Sequence, residues 1–211
     1  MCHALLQDAS LYDRLLTIDQ DLAAEARAAG CAACGGVLHS ARYPRKPRGG
    51  PDTLGPDYAT RLSFCCAREG CRRRTTPPSV RYLGRRVYLG AVIVLVTALA
   101  SGITPRRAAQ LRALIGVSVR TLKRWRTWWC ETFVASAFWQ AAKGHFLPPV
   151  TVAELPASLL ARFAGDEART RLVHTLEFLE PLTVRGTDRA GSAMSGGGPQ
   201  TMRLAPRRPR S

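Results

Sequence analysis

Cys31 and Cys34 sit in the stretch CAACGG, and Cys66 and Cys71 sit in CAREGC. A C-x2-C pair lets one tight turn aim two thiolates at a single ion, and Gly35 and Gly36 let the backbone fold over the sulfurs and donate N–H groups to them. The C-x4-C pair can do the same, with Gly70 easing its turn. Four sulfurs complete a tetrahedral zinc site, and the small β-rich region between the pairs would then draw most of its folding energy from the metal. The fourth ligand has rivals. Cys65 adjoins Cys66, and neighbours in an extended segment point to opposite faces, so only one of them can ligate. The spacing to Cys71 favours Cys66. His39, five residues after Cys34, is the other candidate.

Two bland readings compete with the metal. Free thiols are common in cores, but paired clusters beside glycines are not the pattern of apolar filler. A redox C-x2-C needs a strand-to-helix setting, and here a helix precedes it and GGVLHSARYP follows. Cys2 and Cys130 have no partner by spacing and read as a terminal and a helix-packed thiol.

The elements that must position these sulfurs start with residues 10–29. There Leu11, Leu15, Ile18, Leu22 and Ala26 recur at helical spacing behind a Ser10 cap, and Gly30 stands where the helix stops. From Cys31 the texture turns to Gly, Pro and Arg with short alternating runs such as YATRLSF, which read as strands and turns. RYPRKPRGGPDTLGPD reads as a long basic loop. Residues 87–103 form the most apolar run of the chain, at the short limit for a membrane span and interrupted by Gly90, Thr97, Ser101 and Gly102. Length and flanks favour a buried core helix. Residues 147–185 hold two small helices punctuated by Pro156 and Gly165, and residues 186–211 read as a disordered basic tail.

The 211 residues carry 31 Lys+Arg against 15 Asp+Glu, a formal net charge of +16. Such an excess points to an anionic partner when it is concentrated. It is concentrated here. Residues 1–30 hold two Arg against five acids, residues 39–86 twelve basic groups against three acids, and residues 104–130 seven basic groups and no acid.

That last, acid-free stretch, TPRRAAQLRALIGVSVRTLKRWRTWW, reads as two helices around a tight turn. Thr104 caps and Pro105 starts the first, with Ala108, Leu111, Leu114 and Ile115 on one face. Gly116 offers the positive φ of the turn, and Ser118 caps the second helix. Leu122, Trp125, Trp129 and Phe133 then fall on one packed face, opposite Arg120, Arg124 and Thr127, which are flanked by Lys123 and Trp128. Such a face suits a recognition helix, since Arg bonds guanine edges bidentately while other basic groups grip phosphates. Arg45, Lys46 and Arg48 in the loop and the run Arg72, Arg73 and Arg74 supply further phosphate contacts. The tryptophans read as core, with Trp128 alone open to base stacking.

CAACGG, a basic spacer, CAREGC, RRRTTPPS and an apolar helix together resemble the zinc ribbon at the front of many bacterial insertion-sequence transposases and their small accessory DNA-binding proteins. GVSVRTLKRW resembles the turn and recognition helix of the helix-turn-helix superfamily. One residue departs from that pattern: Arg112 stands four before the turn glycine, where the superfamily usually has a small residue. The resemblance covers about residues 30–130. It implies an α+β fold, with a small zinc-ribbon β module followed by a mainly helical helix-turn-helix region.

The expected organisation is an N-terminal helix (1–30), the zinc ribbon (31–83), the helix-turn-helix region (84–146), a small helical segment (147–185) and the tail. The separated acids of a metal-dependent transposase are not visible. After the second basic helix the acids are Glu131, Glu154, Asp166, Glu167, Glu177, Glu180 and Asp188, in a stretch too short for such a domain. The expectation is therefore a non-enzymatic, sequence-specific protein with structural Zn2+, binding double-stranded DNA in the bacterial cytoplasm at the nucleoid. It would be tied to a mobile element, a homodimer being one form, and the N-terminus carries no secretory pattern. Two alternatives stand beside it. One is a truncated form or DNA-binding subunit of a transposase, serving a transposase or integrase catalytic chain; the other is a membrane-anchored basic protein.

Overall fold

The computed structural model describes residues 2–83, 88–98 and 105–184. Thr104, both ends of the apolar run, the side chains of Ala108 and Leu114, and the tail lie outside the described residues. The architecture is mixed, with helices around two small antiparallel sheets.

A short helix α1 (Cys2–Leu6) leads into α2 (Ala9–Ala29). The cap of α2 is Asp8, two residues before the expected Ser10, because the Asp8 carboxylate accepts both the Ser10 N–H at 3.1 Å and the Ser10 hydroxyl at 2.8 Å. Leu11, Tyr12 and Leu15 are buried in the main core, whereas Ala23 and Ala26, two turns on, pack in a second and smaller one. One helix thus joins both halves of the molecule.

The cysteine-bearing region holds strands of only two or three residues. β1 (Leu38–Ser40), β4 (Phe64–Cys66) and β5 (Arg74–Thr75) form one antiparallel sheet in the order β1-β4-β5. β2 (Tyr43–Pro44) pairs with β3 (Thr60–Arg61). The expected basic loop therefore begins as a strand, and Arg45 N–H continues the pairing by donating to Ala59 O at 2.6 Å.

Helix α3 (Gly90–Ala98) is buried from Gly90 to Thr97 and packs against α1, α5 and α8. A helix covered on every side has no polar stripe to show, which is why the run is apolar all round. No helix among the described residues is long and apolar enough to cross a membrane. Val92 is fully buried. Val92→Asp is therefore expected to cost several kcal/mol, since an unpaired carboxylate would enter the core, and urea denaturation measures the loss.

After α4 (Pro105–Ile115) and α5 (Val119–Thr127), a π-helical turn (Trp128–Phe133) continues into α6 (Ala137–Ala142). α7 (Ala157–Leu160) and α8 (Ala168–Leu179) close the chain. These last helices share the main core: Leu159, Leu172, Val173, Leu176 and Leu179 belong to the same cluster as Leu11 and Trp125. Polar contacts reinforce the join. Ser79 N–H donates to Thr183 Oγ1 at 2.9 Å, and Arg169 pairs with Asp8 at the cap of α2.

Candidate metal centre and basic surface

Two turns deliver the four sulfurs. In the first, the N–H groups of Cys34 and Gly35 donate to Cys31 O at 3.2 and 2.7 Å, and Cys31 N–H closes the turn on Gly36 O at 2.9 Å. The second joins β4 to β5, with Cys66 N–H bonded to Arg73 O at 2.9 Å and Cys71 N–H to Arg68 O at 3.1 Å. Ala67 N–H to Val37 O, at 2.9 Å, locks one turn to the other.

The sulfurs of Cys31, Cys34, Cys66 and Cys71 all lie within 4.8 Å of one another. Cys31 and Cys71 are 3.7 Å apart at Sγ, and Cys34 and Cys66 are 3.5 Å apart. These are not disulfides, whose sulfurs lie about 2.05 Å apart. Sulfurs at about 2.3 Å from a central zinc, at the corners of a tetrahedron, would be about 3.8 Å apart. The cluster thus has the dimensions of a four-thiolate metal site.

The surroundings fit ligands as well. Three sulfurs each accept a hydrogen bond from the backbone N–H two residues on: Cys34 from Gly36, Cys66 from Arg68 and Cys71 from Arg73. Gly36 is needed at that position, because a Cβ there would lie 3.1 Å from Cys66 Sγ and 3.3 Å from Cys34 Sγ. The Gly36 N–H, followed by the neighbouring thiols, holds Cys34 down to about 6. At Cys66 the Arg68 N–H pulls downward, but burial and the other thiols prevail and push it up to about 12. Cys71 is also raised, the neighbouring thiols and burial outweighing the Arg73 N–H. One thiolate forms easily and resists company. A divalent cation removes that conflict by neutralising the crowded charge.

The choice between the adjacent cysteines is settled by strand register. Cys66 pairs with buried Leu38 and faces inward, whereas Cys65 pairs with exposed His39 and with Arg74, on the opposite face. Cys65 Sγ donates to Arg72 O at 3.4 Å instead. Neither Cys65 nor His39 joins the cluster.

The second expected site is built by α4, the turn and α5. Gly116 has φ +64°, and Ser118 Oγ accepts the Thr121 N–H at 3.2 Å, capping α5 as the sequence implies. Leu111, Ile115, Val117, Leu122, Trp125, Trp129 and Phe133 are buried. Arg112 and Ala113 are both exposed, so the large residue before the turn never enters the helix–helix contact. Arg120, Lys123, Arg124 and Thr127 are all exposed on α5. Trp128 is half-buried, edge-on to Trp129 with ring centroids 4.8 Å apart, and so belongs with the core rather than with a stacking platform.

The other basic residues divide. Lys46, Arg48, Arg72, Arg73 and Arg74 are exposed, Arg74 lying 5.6 Å over the Tyr43 ring. Arg45 is half-buried, its guanidinium 5.1 Å over the ring of Tyr82, which draws it back from solvent.

No family model, no curated protein and no solved structure matches the chain.

One polar centre lies outside the sites expected from the sequence. Asp19 and Arg81, 1% and 0% exposed, pair at 2.7 Å between Oδ2 and Nε. Asp19 also accepts Ser79 Oγ at 2.6 Å and Val80 N–H at 2.7 Å. Arg81 donates onward to Tyr58 O at 2.8 Å and Thr60 O at 3.1 Å, and lies 5.0 and 5.2 Å over the rings of Tyr58 and Tyr82. The signal that could have found Asp19 is its place four residues after Leu15 and three before Leu22, on the apolar face of α2.

Proposed function

We propose that the chain is a sequence-specific double-stranded-DNA-binding protein whose four-cysteine module is a zinc ribbon, acting at the nucleoid in the bacterial cytoplasm as part of a mobile element's machinery. What carries the reading is α5. It sets four exposed polar side chains, three of them basic, on the face opposite a buried Leu/Trp stripe, behind a glycine turn and a serine cap. A helix presented in this way is shaped for the major groove, about 12 Å wide. Zinc is the metal the ligand set favours, four thiolates at tetrahedral spacing being a common structural zinc shell. The protein's role would be binding rather than catalysis, delivering DNA to a transposase or integrase catalytic chain.

Metal analysis followed by selection from random duplexes tests this. Arg120→Ala or Arg124→Ala is expected to cost about 1–3 kcal/mol on the selected site and little on scrambled DNA. Lys46→Ala and Arg48→Ala are expected to weaken all duplexes alike and to flatten the salt dependence by about one unit for each phosphate no longer neutralised. If both pairs behave identically over a salt series, the chain is a nonspecific polycation and α5 does not read bases.

A further inference from the structure

Lys46 and Arg48 are far from α5 in sequence, yet one residue touches the segments that carry both. Leu89 N–H donates to Arg48 O at 3.2 Å, and Arg48 and Tyr88 form a parallel β-bridge. The next two residues lie flat against the core. A Cβ on Gly49 would come within 2.9 Å of Val92 Cγ1, and one on Gly50 within 2.9 Å of Leu89 Cδ1. The loop's backbone is therefore fastened where its exposed cations end.

Tyr88 turns its side chain the other way. The ring, 8% exposed, meets Trp125 of α5 edge-on with centroids 5.1 Å apart, and the phenol donates to Gly116 O at 3.1 Å. Gly116 lies two residues before the Ser118 cap, so the phenol is anchored at the turn that launches α5. The backbone at Tyr88–Leu89 holds the loop while the Tyr88 side chain holds the turn.

We propose that Lys46, Arg48 and the N-terminal turn of α5 form one composite surface for a single B-form duplex. Arg120 faces base edges in the major groove, Lys46 and Arg48 hold phosphates of the strand bordering that groove, and Tyr88 is the positioning residue that sets their separation. This rests on the reading of α5 as a DNA-binding helix. The physical argument lies in the fastening. Cations on a free loop attract any polyanion from any direction, whereas cations at a fixed offset from a groove-sized helix match a partner whose phosphates stand at a fixed offset from its bases. A single strand has no such groove wall.

Phosphate-ethylation interference on the duplex selected by the full chain tests the proposal. In Arg48→Ala, interference is expected to vanish at a few adjacent phosphates, within about ten base pairs of the bases that Arg120→Ala ceases to read. Tyr88→Phe keeps the ring against Trp125 but removes the phenol proton. It is expected to blur those same phosphates and leave base reading in place. Interference unchanged in Arg48→Ala, weakened evenly along the duplex, or abolished more than one helical turn away overturns the composite surface while leaving α5 as a reader. A wild-type chain that selects no sequence overturns both.

Discussion

On the proposed zinc reading, stripping the metal with a chelator, or replacing Cys71 by Ser, is expected to unfold the two cysteine turns and the β1-β4-β5 sheet while the helical core, with Tyr58 and the Arg48–Gly50 segment packed on it, stays folded. The buried residues of the module's own small core are Ala23, Leu38, Leu62 and Phe64 besides Cys31 and Cys66, with Ala26, Cys34 and Cys71 partly buried against them, and its strands are two or three residues long. So little apolar surface cannot order these turns and short strands unaided. A structural zinc supplies about 10–16 kcal/mol in small zinc-finger peptides near neutral pH, enough to make up the deficit. The native protein should contain about one zinc per chain. After chelation, hydrogen exchange should show protection abolished at the amides of Cys66 and Ala67 and kept in α3. Cys66→Ser should release the metal, whereas Cys65→Ser should retain it, because the Cys65 thiol points to the other face of β4. A metal-free chain with these amides still protected would show that the sulfurs are ordinary core thiols.

The second large effect is expected at Arg81. Its guanidinium bonds Asp19 on α2 and the carbonyls of Tyr58 and Thr60, so it ties the helix and the segment that leaves β5 to the start of β3 and the turn before it. Arg81→Ala leaves the Asp19 carboxylate buried with only the Ser79 hydroxyl and the Val80 N–H, and takes the Arg81 donor from Thr60 O, while Tyr58 O keeps the Tyr82 phenol at 2.6 Å. A loss of about 3–5 kcal/mol follows, a large share of a domain's usual 5–15 kcal/mol. Arg81→Lys should restore only part of this, because an ammonium cannot reproduce the planar fork. Replacing Asp19 and Arg81 together by Leu should cost less than Arg81→Ala, since no buried charge is then stranded. Equilibrium denaturation of the three variants separates these outcomes, and a loss below about 1 kcal/mol for Arg81→Ala would mean the pair is relaxed by solvent.

What could be read from the residues alone depends on how far along the chain each rule reaches. The C-x2-C turn with its glycines, the positive φ of Gly116, the Ser118 cap and the Leu122–Trp125–Trp129–Phe133 stripe are set by interactions within a few residues, and the structure shows each of them. The spacing of the two cysteine pairs likewise anticipated the four sulfurs that meet. The misreading of Ser10 for the Asp8 cap arose because both residue types cap well and only the folded backbone shows which has the extended conformation.

Tertiary structure decided the rest. Cys66 rather than Cys65 faces the cluster because β4 pairs with β1 in one register, and a slip of one residue would reverse them. Asp19 meets Arg81 across 62 positions, the phenol of Tyr88 reaches Gly116, and the helices after residue 147 close the main core rather than standing apart. No short-range pattern encodes such meetings. They follow from which apolar faces find one another when the chain closes, and a charged residue such as Asp19 or Arg81 looks the same in sequence whether it ends in water or at the centre of the molecule.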